Sequence, residues 1–101
     1  MVKTILITGA TDGIGKHLAK KLASEGHHVI LHGRNPQKLE LALQEVRAVS
    51  LRGRVSNYLA DFSKLDDVYR FVEEIKRDFQ SIDVLFNNAG LYAGKERKAS
   101  A

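Results

Sequence analysis

The sequence predicts a doubly wound α/β fold, a parallel sheet of four strands in the order 3-2-1-4 layered between helices on both faces. Three observations carry this prediction. Short apolar runs alternate with helix-periodic segments from Thr4 to Asn87. A glycine-rich turn, Thr8-Gly9-Ala10-Thr11-Asp12-Gly13-Ile14-Gly15, joins the first run to the first helical segment. The run Asp83-Val84-Leu85-Phe86-Asn87 is near-continuously apolar, the pattern of a strand covered on both faces. Strands alternating with helices in this way make parallel pairs through right-handed crossovers, and the strand order then reverses between strands 1 and 4.

Thr4-Ile5-Leu6-Ile7 is the first strand. Ile14, Leu18, Leu22 and Ala23 fall at helical spacing behind the glycine turn, and Gly26 follows as a C-cap, so the first helix spans residues 13–25. Val29-Ile30-Leu31, bounded by His28 and Gly33, is the second strand. Asn35 then offers an N-cap and Pro36 a first helical residue whose φ is already set. The helix they open carries Leu39, Ala42, Leu43 and Val46 on one face. Gly53 interrupts the pattern, and residues 54–60 read as a third strand with Val55, Asn57 and Leu59 on one side. Ser63 with Asp66 three residues on resembles a capping box, and Leu65, Val68, Val72, Ile75 and Phe79 keep helical spacing over four turns. Residues 1–92 are expected to form one domain, and residues 93–101 a polar tail.

Composition narrows the classes of function. A hydrophobic fraction of 44% and a charged fraction of 28% describe an ordinary globular domain, and 101 residues lie near the lower end of what buries its own core. Apolar runs are far shorter than the roughly 20 residues that span a bilayer, and Met1-Val2-Lys3 leads directly into a core strand rather than a signal peptide. With no cysteine there is no disulfide, thiolate chemistry or Cys-based zinc site, which fits the expected cytoplasmic location. The net charge of +4 comes from 16 basic residues interleaved with 12 acidic ones. Only Lys95, Arg97 and Lys98 gather locally, the pattern of a solvated terminus rather than a nucleic-acid contact.

The glycine turn points to a dinucleotide. Gly9 turns the chain sharply out of the strand, Gly13 lets the backbone approach a pyrophosphate, and Gly15 lets helix and strand pack closely. Free N–H groups and a partial positive charge at the following helix N-terminus suit the phosphates. Thr11 and Asp12 lie in the same turn and count with it as candidate cofactor contacts. In such sheets the ligand lies beyond the carboxyl ends of the strands where the order reverses, so this turn and the Asn87-Asn88-Ala89-Gly90 segment are expected to meet at one crevice.

The pattern Thr8-Gly9-x-x-x-Gly13-Ile14-Gly15, followed about seventy residues later by Asn87-Asn88-Ala89-Gly90, resembles the short-chain dehydrogenase/reductase family over residues 2–92. The stretch Ala60-Asp61-Phe62-Ser63 and the ending Asp83 to Gly90 look most like its retinol-dehydrogenase-like branch. The resemblance implies a partial Rossmann fold in which Gly9, Gly13, Ile14 and Gly15 line the pyrophosphate. It also implies that Asp61 accepts from the adenine amino group with Phe62 beside the ring. Asn88, Ala89 and Gly90 would border the adenosine ribose, while Asn87 ties strands together. Alternatives stand beside these roles: Asp61 as a helix-capping carboxylate upstream of Ser63, and Asn87 and Asn88 as turn residues.

Cofactor choice in this fold is made where strand 2 ends. An acid there holds the ribose 2′-hydroxyl of NAD, whereas an arginine accommodates the 2′-phosphate of NADP. The chain has His32-Gly33-Arg34-Asn35 and no acid, which favours NADP(H), with a surface salt bridge as the other role for Arg34. Asp12 dissents, because many NADP-dependent members of the family have a basic residue before the second glycine.

Catalysis in the family implies a tyrosine, a lysine one helical turn later and a serine, all in the second half of a member of about 250 residues, with hydride passing between nicotinamide and a carbonyl or alcohol carbon. Tyr58, Tyr69 and Tyr92 are followed four residues on by Phe62, Glu73 and Glu96, so none has that lysine, and Tyr92 with Lys95 lies in a loop. No catalytic residue and no metal ligand is therefore assigned, and the chain by itself is expected to be inactive. His17, His27, His28 and His32 form no metal constellation and are assigned core, cap or solvent roles. Because a single helix covers the second sheet face and strand 4 is an edge, self-association through that face or edge is expected, or else marginal stability. A non-catalytic cofactor-binding or dimerisation module is the alternative reading.

Overall fold

The computed structural model describes residues 1–88, and within them seven elements alternate as β1 (Thr4–Thr8), α1 (Gly13–Ser24), β2 (His28–Gly33), α2 (Pro36–Val49), β3 (Val55–Leu59), α3 (Leu65–Asp78) and β4 (Val84–Asn87). The four strands form one sheet in the order β3-β2-β1-β4, all neighbours parallel. This is the predicted order. Residues 89–101, with Ala89, Gly90, Tyr92, Lys95 and the expected domain boundary at 92, lie outside the described residues.

Register explains where the core lies. Ile5 and Ile7 of β1 share a face with Val29 and Leu31 of β2 and Val55 of β3, and pack against Ala19 and Ala23 of α1 and Leu39, Leu43 and Val46 of α2. Alternation sends Leu6 and Ile30 to the opposite face, where Phe71 of α3 and Ala60 complete a second cluster with Tyr58, Phe62, Ile75, Phe79 and Ile82 at its margin. The capping expected of Asn35 is present, its side chain accepting from the Lys38 N–H at 3.0 Å with Pro36 in the first turn. Gly26 adopts φ +95, which only glycine holds without strain; it ends α1 from one residue beyond the expected place, since the C-cap itself is Glu25.

The structure corrects three expectations. Ser63 does not cap α3: the helix starts after Lys64 without a side-chain cap, and the Ser63 hydroxyl instead donates to Asp61 Oδ1 at 2.7 Å. The buried face of α3 is set by Phe71, while Leu65 and Val72 of the expected stripe are 65% and 43% exposed. The largest apolar side chain fixes the rotation of the helix, and the smaller ones flank it. Finally, among the described residues β4 is not covered on both faces. Val84 and Leu85 are largely exposed, and only Phe86 packs partly against the core.

Candidate functional site

The carboxyl ends of β1 and β2 carry a concavity of about 360 Å³ lined by the glycine turn, by the end of β2 and the start of α2, and by Ala60, Phe62 and Asn88. It lies beside β1, where the strand order reverses, as the topology requires. Of the predicted site residues, Gly9, Thr11, Asp12, Arg34, Phe62 and Asn88 border it. Gly13, Ile14, Gly15 and Asp61 lie outside its lining, and Ala89 and Gly90 are not described.

Each glycine of the turn has a distinct reason. Gly9 and Gly13 sit at φ +62 and +60, in the left-handed region that side chains avoid. A Cβ on Gly13 would meet nothing within 4 Å, so the backbone there is open to an approaching group. A Cβ on Gly15 would come within 2.5 Å of the Gly9 carbonyl and 2.9 Å of Asn88 Nδ2, so the start of α1 fits under the turn only without a side chain. Gly33 plays the same part for Thr11, whose methyl carbon would be 2.4 Å from its Cβ, a packing that sequence reasoning did not find. No side chain caps α1 at Asp12, which leaves the first-turn amides for another acceptor. Ile14, expected on the apolar stripe, is 72% exposed.

Hydrogen bonds hold this turn from several sides. Asn88 Nδ2 donates to the Gly9 carbonyl at 2.9 Å, and the Ala10 N–H donates to the His32 carbonyl at 2.8 Å. The Thr8 hydroxyl donates to Asn87 Oδ1 at 3.0 Å, which joins β1 to β4 in the way expected of Asn87. His32 is 3% exposed. Its Nδ1 accepts from the Gly9 N–H at 3.0 Å, its Nε2 faces the Ala60 carbonyl at 2.9 Å, and its ring stacks on Phe62 with centroids 4.0 Å apart. The only sequence signal for this was period-two alternation, which puts His32 on the same face as Ile30.

Charges gather at the other end of the concavity. Lys38 pairs with Asp12 at 3.5 Å across an exposed gap, so the acid that argued against a phosphate is matched by a base in the first turns of α2. Lys38 was missed in the sequence because a lysine on a helix reads as solvated surface. Asn35-Pro36 fixes where that helix begins and so turns Lys38 toward the concavity. Arg34 makes no ion pair among the described residues. Asp61 Oδ1 accepts from both the backbone and the hydroxyl of Ser63, which holds its carboxyl below the usual range, and its own N–H donates to Asp67 Oδ2 at 2.8 Å. The helix-capping role weighed for Asp61 is not what the structure shows: its carboxylate closes a local turn on Ser63, and α3 begins at Leu65 with no side-chain cap.

Elsewhere Tyr58 donates to Asp78 at 2.6 Å; burial and that bond push its phenol up to about 12, and the Arg77 and Tyr58 bonds draw Asp78 down to about 2. No group of three or more possible metal ligands occurs among the described residues, and no described helix is long and apolar enough to cross a membrane.

A parallel sheet in this order, with a glycine turn at its reversal point leading into an uncapped helix, defines a dinucleotide-binding domain of the Rossmann class. The short chain dehydrogenase family model matches residues 3–101, and the chain belongs to that family. Retinol dehydrogenase 13 of Mus musculus is 36% identical over 89 residues, 88% of this chain and 27% of that protein. The WW domain-containing oxidoreductase of Drosophila melanogaster is 41% identical over 93 residues, covering 90% and 23%. Among solved structures, menthone neomenthol reductase from Mentha piperita superposes with a TM-score of 0.78 at 32% identity, over 89% of this chain and 32% of that one. The chain therefore spans about a quarter to a third of these relatives' length. Nicotinamide dinucleotides are the cofactors of this family, and the open Gly13 backbone, the free first turn of α1 and the concavity beside them fit such a group.

Proposed function

We propose that residues 1–92 form the cofactor-binding portion of a short-chain oxidoreductase that transfers hydride between NADP(H) and a carbonyl or alcohol substrate. When bound, the nicotinamide supplies the hydride. The chain's own residues would hold the rest of the cofactor: the turn from Gly9 to Gly15 the pyrophosphate, Arg34 the 2′-phosphate, Asp61 and Phe62 the adenine, and Asn88, Ala89 and Gly90 the ribose. Residues 93–101 are read as a polar tail outside this portion. No tyrosine in the chain is followed four residues later by lysine, so the proton-transfer step is assigned to none of its residues.

One observation carries the choice of NADP. The end of β2 offers no carboxylate to a ribose 2′-hydroxyl, and Arg34 and Lys38 border the concavity there. A titration of the chain with NADPH and NADH, followed by fluorescence and calorimetry, tests this. Saturable NADPH binding that weakens about tenfold or more in Arg34→Ala, with NADH little changed, is the expected result, because a charge-assisted bond is lost. Equal affinity for both cofactors, unaffected by the substitution, would reject it.

The exposure of Val84 and Leu85 along edge strand β4 favours a second reading, in which the chain also self-associates. Sedimentation would then show dimers that dissociate when Leu85 is replaced by lysine. A monomer at all concentrations would exclude it.

A further inference from the structure

The structure assigns His32 a positioning role that no motif of the glycine turn contains: through one acceptor nitrogen, its imidazole fixes the peptide of Gly9 and thereby the shape of the dinucleotide site. This rests on the cofactor-binding reading above and adds to it a residue outside the turn. The peptide of Gly9 is gripped at both ends, its N–H by His32 Nδ1 at 3.0 Å and its carbonyl by Asn88 Nδ2 at 2.9 Å. Those bonds hold a residue at φ +62, where a free glycine would sample both signs of φ. The other ring nitrogen lies 2.9 Å from the Ala60 carbonyl, an acceptor only, so Nε2 carries the proton and Nδ1 keeps its lone pair.

Only one neutral tautomer satisfies both partners. A proton on Nδ1 would set two donors against each other at Gly9, and an imidazolium cannot accept. Phe62 fixes the plane of the ring, stacked at an interplanar angle of 6°, and Phe71 closes its edge at 5.4 Å between centroids. Three consecutive parts of the wall are therefore linked through one side chain: the glycine turn, the end of β3 and the aromatic surface beside the concavity. Charged groups face this region from every element around it: Asp12 from the turn, Arg34 from the end of β2, Lys38 from α2, Asp61 after β3 and Asp67 from α3. The hydrogen bonds of the ring itself, among the described residues, go to Gly9 and Ala60. Burial lowers the tendency of His32 to protonate, and the Ala60 bond opposes this only in part.

Two substitutions separate the nitrogens. His32→Asn keeps an acceptor near the place of Nδ1, whereas His32→Gln keeps a donor near the place of Nε2 and removes the acceptor. In the cofactor-free chain, amide exchange at Gly9 should stay slow in wild type and His32→Asn and accelerate about tenfold or more in His32→Gln, the loss of one buried hydrogen bond. Affinity for NADPH should follow the same order, even where melting temperatures of the two variants agree. The ¹⁵N shifts of the imidazole should report a protonated Nε2, and lowering pH until Nδ1 protonates should reduce the protection of the Gly9 amide, relative to its intrinsic exchange rate at each pH, in wild type alone. Equal Gly9 exchange and equal NADPH affinity in the two variants would overturn the assignment. A wild type that binds no nicotinamide dinucleotide would reject the functional reading, while the exchange rates would still decide whether His32 holds the turn.

Discussion

On the α1–α2 face of the sheet, eleven buried residues form one aliphatic cluster in which alanines of α1 meet valine, leucine and isoleucine of the strands and α2; on the α3 face, among the described residues, the buried cluster has four members. The first face is redundant, since no single side chain spans it. The second depends on aromatic rings and on polar groups placed among them: Phe71 meets His32, Tyr58 and Phe62, and His28 bonds to Ser56 while its ring leans on Phe79. Polar function is concentrated on the face with less apolar burial. The buried and half-buried histidines thus sit on the aromatic face rather than the aliphatic one.

The largest test of this contrast is Phe71→Ala. It removes the one buried residue of α3 and should cost about 4 kcal/mol, against about 3 kcal/mol for Leu43→Ala within the redundant cluster, by the usual range for large core deletions. Chemical denaturation would measure both, and amide exchange should show α3 opening before β1 and β2 in the first variant. A greater loss in Leu43→Ala would break the comparison.

Acidification sharpens it. His28 and His32 both lie on the α3 face, and burial lowers the pKa of each, helped at His28 by Arg54. The unfolded chain then binds more protons than the folded one below the ordinary histidine value of about 6.5, so stability is complete above that pH and declines as pH falls through it toward the lowered folded values. Melting temperature between pH 8 and 5 should fall along this course, and replacing both histidines with glutamine should flatten it. The smallest effect is expected at Leu65→Ala, which changes stability by less than about 0.5 kcal/mol because that side chain is exposed. A loss as great as that of a core leucine would mean that the α3 face extends further than Phe71.

The sequence was most readable where one physical signal dominated. Asn35-Pro36 and the stripe Leu39, Ala42, Leu43 and Val46 located the start of α2 and its buried face to the residue, because capping and period coincide there. For α3 the period was right and the stripe only partly so: Ile75 and Phe79 do pack against the core, but Leu65 and Val72 turn outward, and Phe71, outside the stripe, takes the interior. Asp61 illustrates a second limit, since a carboxylate just before Ser63 serves an Asx turn equally well in any fold. His32 and Lys38 were unreadable for a different reason. A lone histidine at the end of a strand and a lysine on a helix acquire their roles only from partners 23 and 26 residues away, Gly9 and Asp12.

Thr8 and Asn87, and likewise Gly9 and Asn88, are bonded partners separated by 79 positions in the chain. Strands β1 and β2 meet across about one helix-length connection, but β1 meets β4 only after every other described element has been made. Closing so long a loop is the slowest kind of contact in folding, since its entropy is lost before pairing returns anything. The floor of the concavity and the aliphatic core can therefore exist before its Asn88 wall does. Competence to hold a ligand then becomes a late event in the life of each newly made molecule, and binding during refolding should lag behind the formation of helix.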